Sequence, residues 1–169
     1  MNIILTGFMG TGKTSVGRAL ASALKKDFID TDEIIKRRAG KTIARIFSDD
    51  GERAFRAAES AVAVEIAGMD GKVVSTGGGI VLRRENMSHL RKNGIIINLT
   101  SSPAKIYERL KNDGGSRPLL DKPDVLSEIK KLLVEREPFY ADCDVRIDTG
   151  LLSAEAAAES IIRSLAGRI

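Results

Sequence analysis

The chain has 169 residues, 43% hydrophobic and 30% charged, the size and balance of a single domain, 1–169, with a real core. One cysteine, Cys143, and one histidine, His89, exclude an internal disulfide and leave no basis for a multi-cysteine or histidine metal centre. The net charge of +4 suits an acidic small molecule as well as a nucleic acid, but 4% aromatic residues and no tryptophan provide no base-stacking platform, so no nucleic-acid partner is expected.

Asn2-Ile3-Ile4-Leu5-Thr6 opens the chain as a short apolar run of strand formers without a basic leader or cleavage site. Later apolar runs such as Ile95-Ile96-Ile97 are strand length, too short to span a bilayer. The expectation is a cytoplasmic protein with no membrane partner.

Residues 7–14, GFMGTGKT, fit G-x-x-x-x-G-K-[ST], with Gly7, Gly12, Lys13 and Thr14 in the defining places. Glycines let the backbone turn its N–H groups toward an anion, Lys13 reaches the outer phosphates, and the Thr14 hydroxyl suits Mg²⁺. The next segment, Thr14 to Leu24, carries Val16, Leu20 and Leu24 at helical spacing, so the loop lies between a strand and a helix N-terminus.

Phe28-Ile29 reads as the second strand, followed by Asp30-Thr31-Asp32. Two carboxylates two residues apart on an extended backbone point the same way, so one can support a Mg²⁺ shell while the other takes a proton from an attacking hydroxyl. The alternative is a helix cap. From Thr31 to Asp70 the pattern stays helical without a strand, an insertion of about 31–70 that the resemblance given below makes the substrate-binding region. Within it Glu52, Arg56 and Glu59 share one helical face. That face is either a solvated salt-bridge stripe or an arginine braced for an anionic substrate.

Val73 to Thr76 reads as a strand ending at Gly77-Gly78-Gly79, a costly run unless something approaches the main chain closely. His89 falls on a surface helix from Arg84 to Lys92, Ile95 to Leu99 forms a strand, and Ser102-Pro103 starts a helix. Glycines, prolines and charges without periodicity then mark a lid-like loop at about 112–124. Val145 to Ile147 is the last strand, and Ser153 caps the alanine-rich final helix. The alternation gives an α/β class: a three-layer α/β/α arrangement around a mostly five-stranded parallel sheet. The turns at Gly7, Asp30, Gly77 and Asp148-Thr149-Gly150 then share the rim beyond the strands' carboxyl ends.

Taken together, the phosphate loop, Asp30-Thr31-Asp32, the GExxFRxxE helix, the triple glycine, Arg117-Pro118-Leu119-Leu120 and the stretch from Arg136 to Tyr140 resemble shikimate kinase, of the nucleoside monophosphate kinase group of P-loop proteins. The resemblance covers essentially the whole chain. It implies a monomeric enzyme that uses ATP with Mg²⁺ to phosphorylate the 3-hydroxyl of shikimate in aromatic amino-acid biosynthesis. Met9, Gly10, Thr11, Gly12, Lys13, Thr14 and Ser15 would hold the phosphates, Thr14 would ligate Mg²⁺, and Asp30 would support the ion through water. Lys13, Asp32 and Arg117 would be catalytic, Asp32 as the base and Arg117 from the lid. Arg56 and Arg136 would clamp the shikimate carboxylate, Glu59 would fix Arg56, and Gly77, Gly78 and Gly79 would close the pocket. Arg109 resembles the residue that stacks on adenine, while Ala154 stands near a place where many relatives carry proline. The alternatives are a related kinase for a nucleoside monophosphate or gluconate, and a silent nucleotide-binding relative.

Overall fold

The computed structural model describes residues 1–112 and 123–167. The lid expected at about 112–124 therefore lies almost wholly outside the described residues, as does Arg117. Strands β1 (Asn2–Gly7), β2 (Phe28–Asp30), β3 (Val73–Ser75), β4 (Gly94–Thr100) and β5 (Val145–Asp148) fall where the apolar runs predict them. They form a sheet in the order β2-β3-β1-β4-β5, and every pairing is parallel. With β1 central, β3 and β4 lie on opposite sides of it, so the chain switches direction across the sheet at the end of the strand that feeds the phosphate loop.

Side chains alternate across the sheet. Ile4, Val74 and Ile96 join one buried cluster, while Ile3, Leu5, Val73, Ile95, Ile97 and Leu99 join the other. The first cluster packs under helices α4 (Gly51–Ala67), α5 (Arg84–Arg91), α6 (Pro103–Asn112) and α7 (Val125–Tyr140). The second packs under α1 (Lys13–Leu24) and α8 (Ala154–Ser164). Two covered faces account for strands that read as continuous apolar runs. Ser102 and Ser153 cap α6 and α8 as expected, accepting from the N–H groups of Lys105 and Ala156 at 3.3 and 3.1 Å.

The helical insertion is three helices: α2 (Thr31–Ala39), α3 (Ile43–Asp49) and α4. Gly40 ends α2 in the left-handed conformation, and the Thr42 hydroxyl accepts from Arg45 to start α3. This arrangement corrects one step of the sequence argument. Asp30 and Asp32 do not project together from an extended strand, because α2 begins at Thr31 and Asp30 is its N-cap. One Asp30 oxygen accepts from the Asp32 and Glu33 N–H groups at 3.0 and 3.3 Å. Asp32 thus enters the site from the first turn of a helix.

Candidate active site

The predicted rim is a cavity of about 680 Å³ above the sheet, lined by Met9 to Val16, Asp30, Asp32, Ser75, Thr76, Gly78, Arg109, Thr149 and Ala154, among others. Its floor is the phosphate loop. Gly12 occupies the left-handed region at φ 89° and caps α1 without a side chain, so the first N–H groups of a twelve-residue helix face the cavity. The Lys13 ammonium donates to the Gly7 and Phe8 carbonyls, each at 2.8 Å, which lays it across the loop. Thr14 donates its hydroxyl to the second Asp30 oxygen at 2.9 Å and lies 3.5 Å from the Ser75 hydroxyl. Asp30 therefore serves both α2 and the phosphate loop.

Beside this floor lies a second cluster built around the triple glycine. A Cβ on Gly77 would stand 2.6 Å from Asp32 Oδ1 and 2.8 Å from Glu59 Oε1, and a Cβ on Gly79 would overlap the Arg56 guanidinium. The glycines make room for the charged side chains that press against this turn, and Gly77 N–H also donates to the Thr31 hydroxyl at 3.0 Å. Arg56 donates to Glu59 at 2.6 Å and to Glu52 at 3.0 and 3.2 Å. Its side chain is 14% exposed and that of Glu59 1%, so the solvated-stripe alternative does not describe this pair, while Glu52 stays on the solvent side. Leaving a buried Glu59 carboxylate in place is tolerable only with a paired guanidinium.

Asp32 Oδ1 and Glu59 Oε1 are buried without a hydrogen-bond partner among the described residues. Burial pushes the Asp32 carboxyl above the ordinary carboxylate range, the charge of Asp30 adds to this, and Lys13 opposes it. Glu59 is raised by burial as well, against the pull of Arg56. Arg136, on α7, sits with its guanidinium carbon 5.7 Å from the centre of the Phe8 ring. Arg109 is held by the Gly10 carbonyl and by both the hydroxyl and the carbonyl of Thr149, at 3.2, 3.2 and 2.6 Å. Thr149 is buried and donates to Thr11 and Thr100 carbonyls at 2.8 and 3.0 Å.

Ser75, Thr149 and Tyr140 were not singled out by sequence reasoning. Tyr140 is buried and donates its hydroxyl to the Gly78 carbonyl at 2.7 Å. Only the strand-end positions of Ser75 and Thr149 could have marked them.

A parallel sheet with a phosphate loop at its switch point, and a carboxylate beside that loop, define a P-loop phosphotransferase acting on a small acceptor. The shikimate kinase family model matches residues 9–166. A shikimate kinase of Pelotomaculum thermopropionicum is 49% identical over 164 residues, 97% of this chain and 95% of the relative. One of Caldicellulosiruptor saccharolyticus is 49% identical over 161 residues, covering 95% and 93%. The structure of shikimate kinase from Acinetobacter baumannii in complex with shikimate superposes with a TM-score of 0.93 at 34% identity, covering 99% of this chain and 93% of that one. The chain belongs to the shikimate kinase family, and it is an ATP-dependent kinase that phosphorylates a hydroxyl of shikimate.

Two outcomes are expected. A Cβ on Gly79 overlaps Arg56, so with Arg56 in the acceptor-binding role proposed below, Gly79→Ala should raise the Michaelis constant for shikimate about tenfold and change that for ATP little, as steady-state kinetics would record. Because the Asp32 carboxyl is raised in the folded chain, its contribution to stability is full below the ordinary carboxylate range and is lost as pH rises through the raised value. Asp32→Asn should therefore melt with the wild type in acid and progressively above it toward neutral pH; thermal melts across pH check this.

Proposed function

We propose that the chain, as a single cytoplasmic domain working as a monomer, transfers the γ-phosphoryl group of ATP to the 3-hydroxyl of shikimate with Asp32 as the base. The observation that carries this reading is Asp32 Oδ1, a buried acceptor without a partner among the described residues, beside Gly77 and bordering the phosphate-loop cavity. An acceptor hydroxyl donating to this oxygen satisfies it, and the raised carboxyl is a better base than an ordinary aspartate. The proton passes to Asp32 as the hydroxyl oxygen bonds to phosphorus and the bond to the ADP oxygen breaks.

Lys13 and the loop N–H groups from Met9 to Ser15 neutralise the phosphate oxygens, an electrostatic role that needs fixed positions rather than reorganisation. Thr14, with Asp30 acting through water, would hold Mg²⁺. The hard hydroxyl and carboxylate oxygens of this pair, 2.9 Å apart, suit that ion. When bound, Mg²⁺ supplies positive charge to the β- and γ-phosphates. Arg56, buttressed by Glu52 and Glu59, and Arg136 take the two oxygens of the shikimate carboxylate, and Gly77 to Gly79 form the wall behind the ring. Arg109, tied to Gly10 and Thr149, presents its plane to adenine. Family resemblance assigns Arg117 to the transferring phosphate.

Lys13→Ala should lower turnover about 100-fold or more with little change in the thermal midpoint; wild-type turnover would remove the loop lysine from the mechanism. Arg56→Lys or Arg136→Lys keeps the charge but loses the planar fork, so the Michaelis constant for shikimate should rise much more than that for ATP. A matched rise in both constants would assign these arginines to the nucleotide or the fold. Arg117→Ala should still bind shikimate in calorimetry and transfer phosphate slowly.

A further inference from the structure

We infer that Tyr140 is a positioning residue for the acceptor: its hydroxyl bond to the Gly78 carbonyl fixes the wall against which Arg56 rests relative to Arg136, and so sets the span of the carboxylate clamp. The inference rests on the clamp proposed above.

Three observations support it. First, the bond is short and sheltered. Tyr140 is 3% exposed, and its hydroxyl reaches Gly78 at 2.7 Å across 62 positions of sequence. Second, Gly78 lies between the two glycines that face the acceptor cluster. Its neighbours touch Asp32, Glu59 and Arg56 so closely that neither has room for a Cβ, so a shift of this turn moves the space those side chains occupy. Third, Tyr140 and Arg136 lie four residues apart on α7, which places their Cβ atoms about 5–6 Å apart on one face. Burial raises the Tyr140 phenol, while the charge of Arg136 and a hydrogen bond from it, together with the charge of Arg56, pull the other way; Glu59 adds a small opposing effect.

The phenol therefore lies within electrostatic reach of both arginines. On the α4 side Arg56 is held by Glu52 and Glu59, and on the α7 side its wall is held by Tyr140. Without the hydroxyl the Gly78 carbonyl loses this donor, and the tie between the turn and α7 is weakened. A ring in the same place preserves the core, so the effect falls on spacing more than on stability.

The test is steady-state kinetics of Tyr140→Phe, with thermal melts, in the wild-type and Arg136→Lys backgrounds. The expected result is a shikimate Michaelis constant raised about tenfold, an ATP constant within about twofold, and a melting point a few degrees lower at most. In the Arg136→Lys background the same substitution should add much less than tenfold, because the clamp it positions is already impaired. An unchanged shikimate constant, an equal rise for both substrates, or a full tenfold effect in both backgrounds would overturn the inference. Raised shikimate constants in Arg56→Lys and Arg136→Lys with a silent Tyr140→Phe would overturn this inference alone. Unchanged constants in the two arginine variants would instead overturn the clamp.

Discussion

The close approach of charged side chains to the Gly77-Gly78-Gly79 backbone is the constraint on which the acceptor side of the molecule depends. Asp32, Glu59 and Arg56 come from two different helices, and they converge only because the turn after β3 carries no side chains there. The same turn is tied to α2 through Gly77 N–H and Thr31, and to α7 through Gly78 and Tyr140. Phosphoryl transfer depends on positioning and charge neutralisation, and in the proposed reading this junction supplies the positioning on the acceptor side.

On the nucleotide side Asp30 performs the equivalent joining. One of its oxygens caps α2, which orients Asp32, and the other receives the Thr14 hydroxyl at the start of α1. Asp32 and the phosphate loop are thereby linked through one carboxylate. This arrangement has an energetic cost, since it gathers Asp30, Asp32 and Glu59 near one another, raises the latter two and leaves two buried oxygens without partners among the described residues.

Much of this was legible in local pattern. The phosphate loop has a fixed spacing, the strands are apolar runs because both sheet faces are covered, and the serine caps of α6 and α8 follow from a hydroxyl three residues before an N–H. The triple glycine pointed to a close approach. What approaches it, however, includes the protein's own Arg56, Asp32 and Glu59, which no local window reveals. The burial of Arg56 and Glu59 was equally hidden, since an i, i+4, i+7 charge pattern looks the same on a solvated face. Asp32 borders the cavity by a different route from the extended run expected, because α2 begins at Thr31, two residues earlier than an extended Asp30-Thr31-Asp32 would need. The stretches holding Tyr140 and Thr149 were legible, but the individual contacts of these residues were not, because each acts through a hydroxyl with partners 62 and 138 positions away.

The central claim is that the cavity and the cluster beside it form one acceptor site specific for shikimate. It is tested most directly by ADP release in a coupled assay with ATP and Mg²⁺, comparing shikimate with AMP, CMP, gluconate and no acceptor. The account predicts rapid ADP formation with shikimate alone and only background rates otherwise. ADP formation indifferent to shikimate, or equal rates with another acceptor, would contradict it.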